Sequence, residues 1–125
     1  MVLKPEGHAG LKFKAAQVAW INIDTSPFII HRNPFSISGS AENREELRFT
    51  IKALGDFTNT IGTLRGGETV YVDGPYGNFN LEDETTKNGL VLIAGGIGVA
   101  PIMSILRTLS EQHDKRPVFF FYGNY

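Results

Sequence analysis

Hydrophobic and polar residues alternate along the first two thirds of the chain, in short runs separated by turn residues. In the clearest run, Leu47, Phe49 and Ile51 alternate with polar residues, which is the period of a strand with one buried face. Glycine-containing turns at residues 39–43, 66–67 and 74–75 separate the runs, and short strands at this spacing predict a small antiparallel barrel. We predict strands over residues 11–14, 17–23, 35–38, 46–53 and 68–73, and one short helix over 59–64 with Thr58 as its N-cap.

The pattern changes after the polar segment 82–87. Residues 90–94 are continuously apolar, which predicts a parallel strand covered on both faces. A helix is expected over about 99–113, ended by residues 114–117, and a second strand over 118–122, so that the three elements form a βαβ unit. Residues 88–106 carry no charge, but the glycines and the proline within them exclude a membrane-spanning helix in favour of an amphipathic one.

The two ends of the chain carry their own expectation. A two-stranded parallel sheet cannot bury residues 118–121 on both faces, so we expect a fragment cut within an α/β domain. The alternative is that a partner or a swapped copy supplies the missing strands. We expect the start of the chain, residues 1–3, to lie inside the barrel, whose first strand would then be missing.

Composition narrows the classes of function. The chain has 125 residues, 42% of them hydrophobic, and a net charge of −1, which favours a packed core and gives no reason to expect a nucleic-acid partner. The absence of cysteine excludes disulfides and thiolate-held metal clusters within the chain and fits the reducing cytoplasm. No signal peptide is recognisable, and the three histidines lack the spacing of metal ligands, so no metal site is predicted.

The turn between the apolar strand and its helix is the first candidate site. Gly95, Gly96 and Gly98 are expected to provide positive φ angles and to leave the backbone open to a ligand, and Pro101 suits the first turn of a helix. Free amides and the positive end of the helix dipole favour a bound phosphate group there. The alternative is a tight connection without a ligand.

Two further sites lie in the β region. Asn33-Pro34-Phe35-Ser36-Ile37-Ser38 presents an aromatic ring followed by a hydroxyl group, which together suit a flat heteroaromatic ligand; the alternative is an ordinary edge strand with a core phenylalanine. Gly55-Asp56-Phe57-Thr58 places backbone amides and a hydroxyl at the start of a short helix, which suits a second phosphate. A simple capped helix start would have the same sequence.

The order of these motifs, together with Gly74-Pro75-Tyr76-Gly77, resembles the ferredoxin–NADP reductase superfamily, and most of all the FAD-binding domain of ferric reductases and NADPH oxidases. The resemblance covers nearly the whole chain. It implies a mainly β fold in which residues 1–85 form an antiparallel Greek-key β-barrel that binds FAD. Residues 86–125 would be the first βαβ unit of a truncated, Rossmann-like NAD(P)-binding α/β domain.

The resemblance also assigns roles to residues. Phe35 would stack on the isoalloxazine and Ser36, the catalytic candidate, would donate a hydrogen bond near flavin N5. Gly55, Phe57 and Thr58 would bind the FAD pyrophosphate. The remaining implied cofactor-binding residues are Arg32, Asn33, Pro34, Ile37 and Ser38 around the flavin and Gly95, Gly96, Gly98 and Pro101 beneath NAD(P)H.

The implied function is transfer of hydride from NAD(P)H to FAD, followed by transfer of single electrons to an acceptor such as haem or ferric iron. The implied partner is a haem-containing membrane domain, and the chain would lie in the cytoplasm, at the cytoplasmic face of that membrane. The alternatives are an FAD-holding electron-transfer or sensing subunit without its own NAD(P)H reductase activity, and a fragment without cofactor. The chain departs from the family pattern at Asn33, where arginine or histidine is usual. A second departure is Ala15-Ala16-Gln17, in place of Pro-Gly-Gln.

Overall fold

The computed structural model describes residues 1–23, 33–79, 81 and 84–124, and of Glu84 the backbone alone. None of the helices in these ranges is long and apolar enough to cross a membrane. The strands and helices are β1 Val2–Leu3, β2 Val18–Asn22, β3 Pro34–Ser36, β4 Leu47–Arg48, α1 Asp56–Ile61, β5 Tyr71–Tyr76, β6 Leu90–Gly95, α2 Val99–Glu111 and β7 Val118–Gly123, with short 3-10 turns at Glu84–Thr86 and Gly96–Gly98.

The β region consists of two small antiparallel sheets. One has the strand order β3-β2-β5, and the other pairs β1 with β4. An isolated bridge between Ile37 and Phe49 links the two sheets, and both residues belong to a core that also contains Phe13, Ala19 and Ile21. The region is mainly β, as the sequence predicted, but the described strands do not close into a barrel.

One predicted strand is absent and another is shorter than expected, because strand geometry requires a partner as well as an alternating sequence. Residues 11–14 keep the alternation, with Phe13 buried between exposed lysines, yet they form no strand. Of residues 46–53, only β4 and the bridge at Phe49 are paired.

The strand expected at 68–73 lies further along the chain, at Tyr71–Tyr76. Gly74 and Pro75, expected in a turn, continue β5 through a cis peptide bond at the place where its register with β2 shifts. A Cβ on Gly74 would lie 3.1 Å from the Cβ of Ala19. The glycine therefore permits β5 to lie close to β2.

The α/β end follows the predicted order closely. Strands β6 and β7 pair in parallel in continuous register from Leu90 with Val118 to Gly95 with Gly123, and α2 packs its Ile105 and Leu109 against Leu90 and Leu92. The expectation that both faces of β6 are covered is wrong for the described residues, since Val91 and Ile93 are 65% and 74% exposed. Only the face beneath α2 is covered.

Candidate cofactor-binding site

The glycine turn after β6 joins the parallel sheet to α2. Gly96 has a φ of +51°, whereas Gly95 and Gly98 have φ angles of −123° and −59° that any residue can adopt. The prediction of a left-handed backbone is therefore confirmed at Gly96 and wrong at the other two. Pro101 lies in the first turn of α2, as expected.

The surface of this turn is open. A Cβ added at Gly95, Gly96 or Gly98 would meet no atom within 4 Å. No side chain caps the amino end of the 3-10 turn or of α2. A helix start with uncapped backbone and no side chain above it has the geometry and the dipole that a phosphate requires.

Strand β3 presents the aromatic–hydroxyl pair at one edge of its sheet. Phe35 and Ser36 are both half-buried and point to opposite faces of the strand. The Phe35 ring stacks on the Phe57 ring, with centroids 6.0 Å apart and planes inclined by 21°. The structure thus brings together two residues predicted at separate ends of the flavin site, in a pair of rings that is neither sealed in the core nor fully exposed.

The start of α1 differs from its predicted form. The helix begins at Asp56 with Gly55 as N-cap, so Thr58 is the third residue of the helix and its prediction as N-cap is wrong. The Thr58 hydroxyl accepts hydrogen bonds from the backbone amides of Leu54 and Gly55 at 2.9 and 3.0 Å and donates to the carbonyl of Gly55 at 2.9 Å. Thr58 is therefore already engaged in closing its own helix.

Other predicted residues are placed less favourably for direct contact with a ligand. Ile37 and Ser38 are 0% and 1% exposed, and the Ser38 hydroxyl accepts a hydrogen bond from Thr50. Pro34 is exposed and Asn33 half-buried, its carbonyl accepting the amide of Ile21. Arg32 lies outside the described residues. The cofactor roles of these five residues stay predictions.

Tyr76 is a candidate that the sequence did not suggest. Val18 pairs with Ser36 on one side and with Tyr76 on the other, so Tyr76 lies two strands from Ser36 in the same row of the sheet. Its side chain is 46% exposed and its hydroxyl donates to the Asp73 carboxylate at 2.9 Å, which raises the pKa of Tyr76 above 10. Tyr76 belongs to the motif Gly74-Pro75-Tyr76-Gly77, but the assignment of 74–75 to a turn hid its position as the last residue of β5.

Comparison with known proteins agrees with this geometry. Residues 92–125 match the oxidoreductase NAD-binding domain family. The chain is 35% identical over 124 residues to the propane 2-monooxygenase reductase component of Mycolicibacterium smegmatis, covering 97% of the chain and 34% of that protein. It is 31% identical over 108 residues to the dihydroorotate dehydrogenase B (NAD(+)) electron transfer subunit of Streptococcus pneumoniae, covering 86% of the chain and 42% of that protein.

A solved structure extends the agreement to the fold. The flavohem-like FAD/NAD binding domain of nitric oxide dioxygenase from Vibrio cholerae superposes with a TM-score of 0.79 at 25% identity, covering 98% of the chain and 54% of that structure. The chain belongs to the ferredoxin–NADP reductase superfamily. It spans about a third of the length of the monooxygenase reductase components that it matches.

The two cofactors of this superfamily are FAD and NAD(P)H, and the geometry of the described residues tests whether they fit. The turn at Gly96 leaves room for a ligand against its backbone, because a Cβ there would meet no described atom within 4 Å. Phe35 packs against the core of the β region and stacks on Phe57, and because both rings are half-buried, part of their apolar surface stays accessible to a flat ring system. The residues present therefore fit both FAD and NAD(P)H, which agrees with the family.

A separate cleft lies elsewhere in the described part of the chain. It has a volume of about 1270 Å³ and opens between β1, the segment around Arg44 and the segment from Ile61 to Val72. Of the predicted site residues, Thr58 is the one that lines it, and neither Phe35 nor Gly96 does. The candidate residues of the glycine turn and of β3 therefore lie outside this cleft, whose lining includes the charged residues Arg44, Arg65 and Glu68.

Proposed function

We propose that this chain is the cofactor-binding part of an NAD(P)H-dependent flavoprotein reductase. The observation that carries the proposal is the Gly96 turn, open above its backbone and followed directly by α2, in the same folded unit as the Phe35–Phe57 pair. The relatives named as a reductase component and an electron transfer subunit support an electron-transfer role.

The two cofactors would occupy different parts of the chain. We assign FAD to residues 1–85, as an antiparallel Greek-key barrel of which the described sheets form part, and NAD(P)H to residues 86–125, the start of a Rossmann-like domain. FAD, when bound, accepts a hydride from the nicotinamide and releases electrons singly. The chain itself contributes binding and orientation.

Each residue then has a defined task. Phe35 supplies an apolar ring surface and Ser36, on the other face of β3, supplies a hydroxyl that can donate to a ring nitrogen. Phe57, in the first turn of α1, stacks on Phe35, and Gly55 is the N-cap of the same helix. The turn from Gly95 to Gly98 offers amide donors to a pyrophosphate and so anchors the nicotinamide nucleotide. Holding the two reacting rings in place contributes about 7–11 kcal/mol in favourable cases.

The acceptor and the location belong to the proposal as well. The name of the Mycolicibacterium relative favours an oxygenase component as the electron acceptor over haem or ferric iron in a membrane domain. We propose a cytoplasmic location on the basis of the cysteine-free composition. A second candidate function, an FAD-holding electron-transfer subunit that does not oxidise NAD(P)H itself, is favoured by the name of the Streptococcus relative.

An FAD titration followed by anaerobic addition of NADH or NADPH tests the proposal. We expect the purified chain to bind FAD and the flavin absorbance to bleach with one of the nucleotides. Phe35→Leu should weaken FAD binding about three- to tenfold, because a stacked aromatic pair contributes about 0.5–1.5 kcal/mol beyond burial.

The control is Phe119→Leu, the same substitution at a ring that is 62% exposed on β7. It should leave the affinity for FAD unchanged. Failure to bind FAD would overturn both candidate functions, while FAD binding without bleaching by either nucleotide would favour the second. Equal losses in the two variants would show that Phe35 is only a structural residue.

A further inference from the structure

One face of α2 is polar although it is turned towards the β region. Its polar residues recur at intervals of three and four along the helix and therefore share one face. At the centre of this face, Ser104 and Thr108 are 0% and 3% exposed. The residues of the face are Ser104, Arg107, Thr108, Glu111 and Gln112.

This polar face binds a single continuous segment of the β region. Every residue from 38 to 42 makes a hydrogen bond to it, through backbone or side-chain atoms. The pairs are Ser38 with Arg107, Gly39 with Ser104, Ser40 with Glu111, Ala41 with Thr108 and Glu42 with Gln112.

The two buried hydroxyl groups give this contact its precision. Ser104 donates to the carbonyl of Gly39 at 2.7 Å and accepts the amide of Ala16 at 3.3 Å. Thr108 accepts the amide of Ala41 at 2.9 Å. Hydrogen bonds weaken steeply with misalignment, and one residue of helix is about 1.5 Å of axial rise, so α2 cannot slide along the segment without breaking both bonds.

The segment is equally fixed on its other side. The backbone amides of Ser38 and Gly39 donate to the carbonyl of Arg48 at 2.8 and 3.2 Å. A Cβ on Gly39 would lie 3.2 Å from the Cβ of Arg48, so the glycine allows this close approach. Segment 38–42 is thus held between β4 and α2.

The segment and the helix each continue into one half of the candidate site. Segment 38–42 begins two residues after Ser36, and α2 begins directly after the Gly96–Gly98 turn. The axial register of α2 on this segment therefore sets the separation between the aromatic–hydroxyl strand and the glycine turn.

We propose that the polar face of α2 and segment 38–42 form a register contact that positions the nicotinamide turn relative to the flavin strand, with Thr108 as its main positioning residue. This inference rests on the proposed function. An apolar interface of the same area would bind the helix but would tolerate sliding, whereas the paired hydroxyl groups specify one register.

Two substitutions of Thr108 separate the hydrogen bond from packing. Thr108→Val keeps the shape and removes the hydroxyl, and Thr108→Ser keeps the hydroxyl and removes the methyl group. We expect the valine variant to slow flavin reduction at saturating NAD(P)H by about tenfold or more, since misplacement by about 1 Å can cost up to a hundredfold. Its affinity for FAD should stay within about twofold of the parent value, because Thr108 is not among the residues proposed to contact FAD. A tenfold loss of affinity would correspond to about 1.4 kcal/mol, the size of a lost contact. Thr108→Ser, and Ser110→Ala on the exposed side of the helix, should match the parent protein in both measurements.

A distance measurement tests the same contact without cofactor. The chain has no cysteine, so spin labels can be placed at the exposed positions Asn59 and Lys115 alone. We expect one narrow distance distribution in the parent and in Thr108→Ser, and a broadened or shifted one in Thr108→Val. Should the valine variant not fold, Arg107→Met removes the contact to Ser38 from a half-buried position and takes its place.

The outcomes distinguish the inference from the proposed function. A parent chain that binds no FAD overturns the proposed function, and the positioning role with it. The positioning role alone is overturned if the parent reduces its flavin and Thr108→Val matches Ser110→Ala both in rate and in label distance. The same holds for Arg107→Met where it takes the place of Thr108→Val. A slow valine variant, a normal serine variant and a changed distance together support it.

Discussion

Both predicted phosphate-binding turns of this protein lead from a glycine into a helix, but they are built differently. The turn before α1 is closed by its own chain, since the Thr58 hydroxyl takes up the amides of Leu54 and Gly55. Neither helix has a side-chain N-cap, and a Cβ on Gly55 or on Gly96 would meet no atom within 4 Å. The difference lies in the third residue of each helix, which is Thr58 in α1 and Pro101, without a hydroxyl, in α2. A helix start that follows a glycine is therefore not one kind of site, because the third residue of the helix decides whether a hydroxyl binds the backbone amides that precede it.

The two helices also differ in what stabilises them. Around α1, the hydrogen bonds of Thr58 stabilise a helix of six residues that contains no buried residue. Around α2, a helix of 13 residues is held by its buried face, so its amino end needs no cap and can be left to a ligand. Substitutions at the two turns should accordingly separate stability from nucleotide binding.

The largest effect is expected for Gly96→Ala. Its φ of +51° is strained for any residue with a Cβ, at a cost of about 1–2 kcal/mol in folding stability, and relief of that strain would move the amides of the turn. We expect the dissociation constant for NAD(P)H to rise about tenfold, which corresponds to about 1.4 kcal/mol, with FAD binding retained. Equilibrium unfolding and nucleotide titration measure the two effects.

Gly98→Ala is the matched control, because its φ of −59° suits alanine and its Cβ would meet no atom. The free energy of unfolding should stay within about 0.5 kcal/mol of the parent value. Any weaker nucleotide binding in this variant then reports the added methyl group directly. A folded Gly96→Ala variant with unchanged nucleotide affinity would remove the glycine turn from the proposed site.

A smaller effect is expected at the other turn, from Thr58→Val. Loss of the hydroxyl leaves the amides of Leu54 and Gly55 without their acceptor, and a lost helix-end contact of this kind costs about 1 kcal/mol. Thr58→Ser keeps the acceptor and should cost less than half of that. Chemical denaturation of both variants, with FAD titration beside it, checks the assignment; weaker FAD binding at unchanged stability would show that Thr58 is primarily a ligand-binding residue.

The sequence predicted best what is decided locally. Continuous apolar residues, three glycines and a proline define β6, the turn and the start of α2, and the structure has all three within one or two residues. Residues 11–14 and 46–53 alternate as strands do, but their pairing depends on which distant residues lie beside them. An alternating sequence indicates that one face is buried, but it does not indicate which strand will pair with the segment.

Polar residues within α2 show the same limit more sharply. Ser104 and Thr108 interrupt an apolar pattern, and such interruptions usually indicate the solvent side of a helix. Here they are buried, because the backbone groups of Gly39 and Ala41 need partners there. The local sequence of α2 does not reveal these backbone partners, because they lie some 65 residues earlier in the chain.

Acid should weaken the α/β end through one ion pair, and this is the smallest effect that we predict. Arg116 donates to the Asp114 carboxylate from Nε and Nη2, which lowers the pKa of Asp114 below 3.8. The Nη1 of Arg116 donates to the carbonyls of Leu81 and Thr86, so the pair holds the segment that leads into β6. Because the folded-state pKa lies below the unfolded value, the stabilisation is complete above pH 3.8 and is lost as the pH falls through the folded value.

Asp114→Asn should therefore lower the free energy of unfolding by about 0.5 kcal/mol at neutral pH, as expected of a half-buried ion pair near the surface. The difference from the parent protein should shrink to nothing as the pH falls well below 3.8. Arg116→Gln should remove the same pH-dependent increment, and in the double variant the two losses should not add. A difference that persists undiminished at pH 2 to 3 would mean that Asp114 acts through the hydrogen bond to the amide of Arg116 and not through its charge.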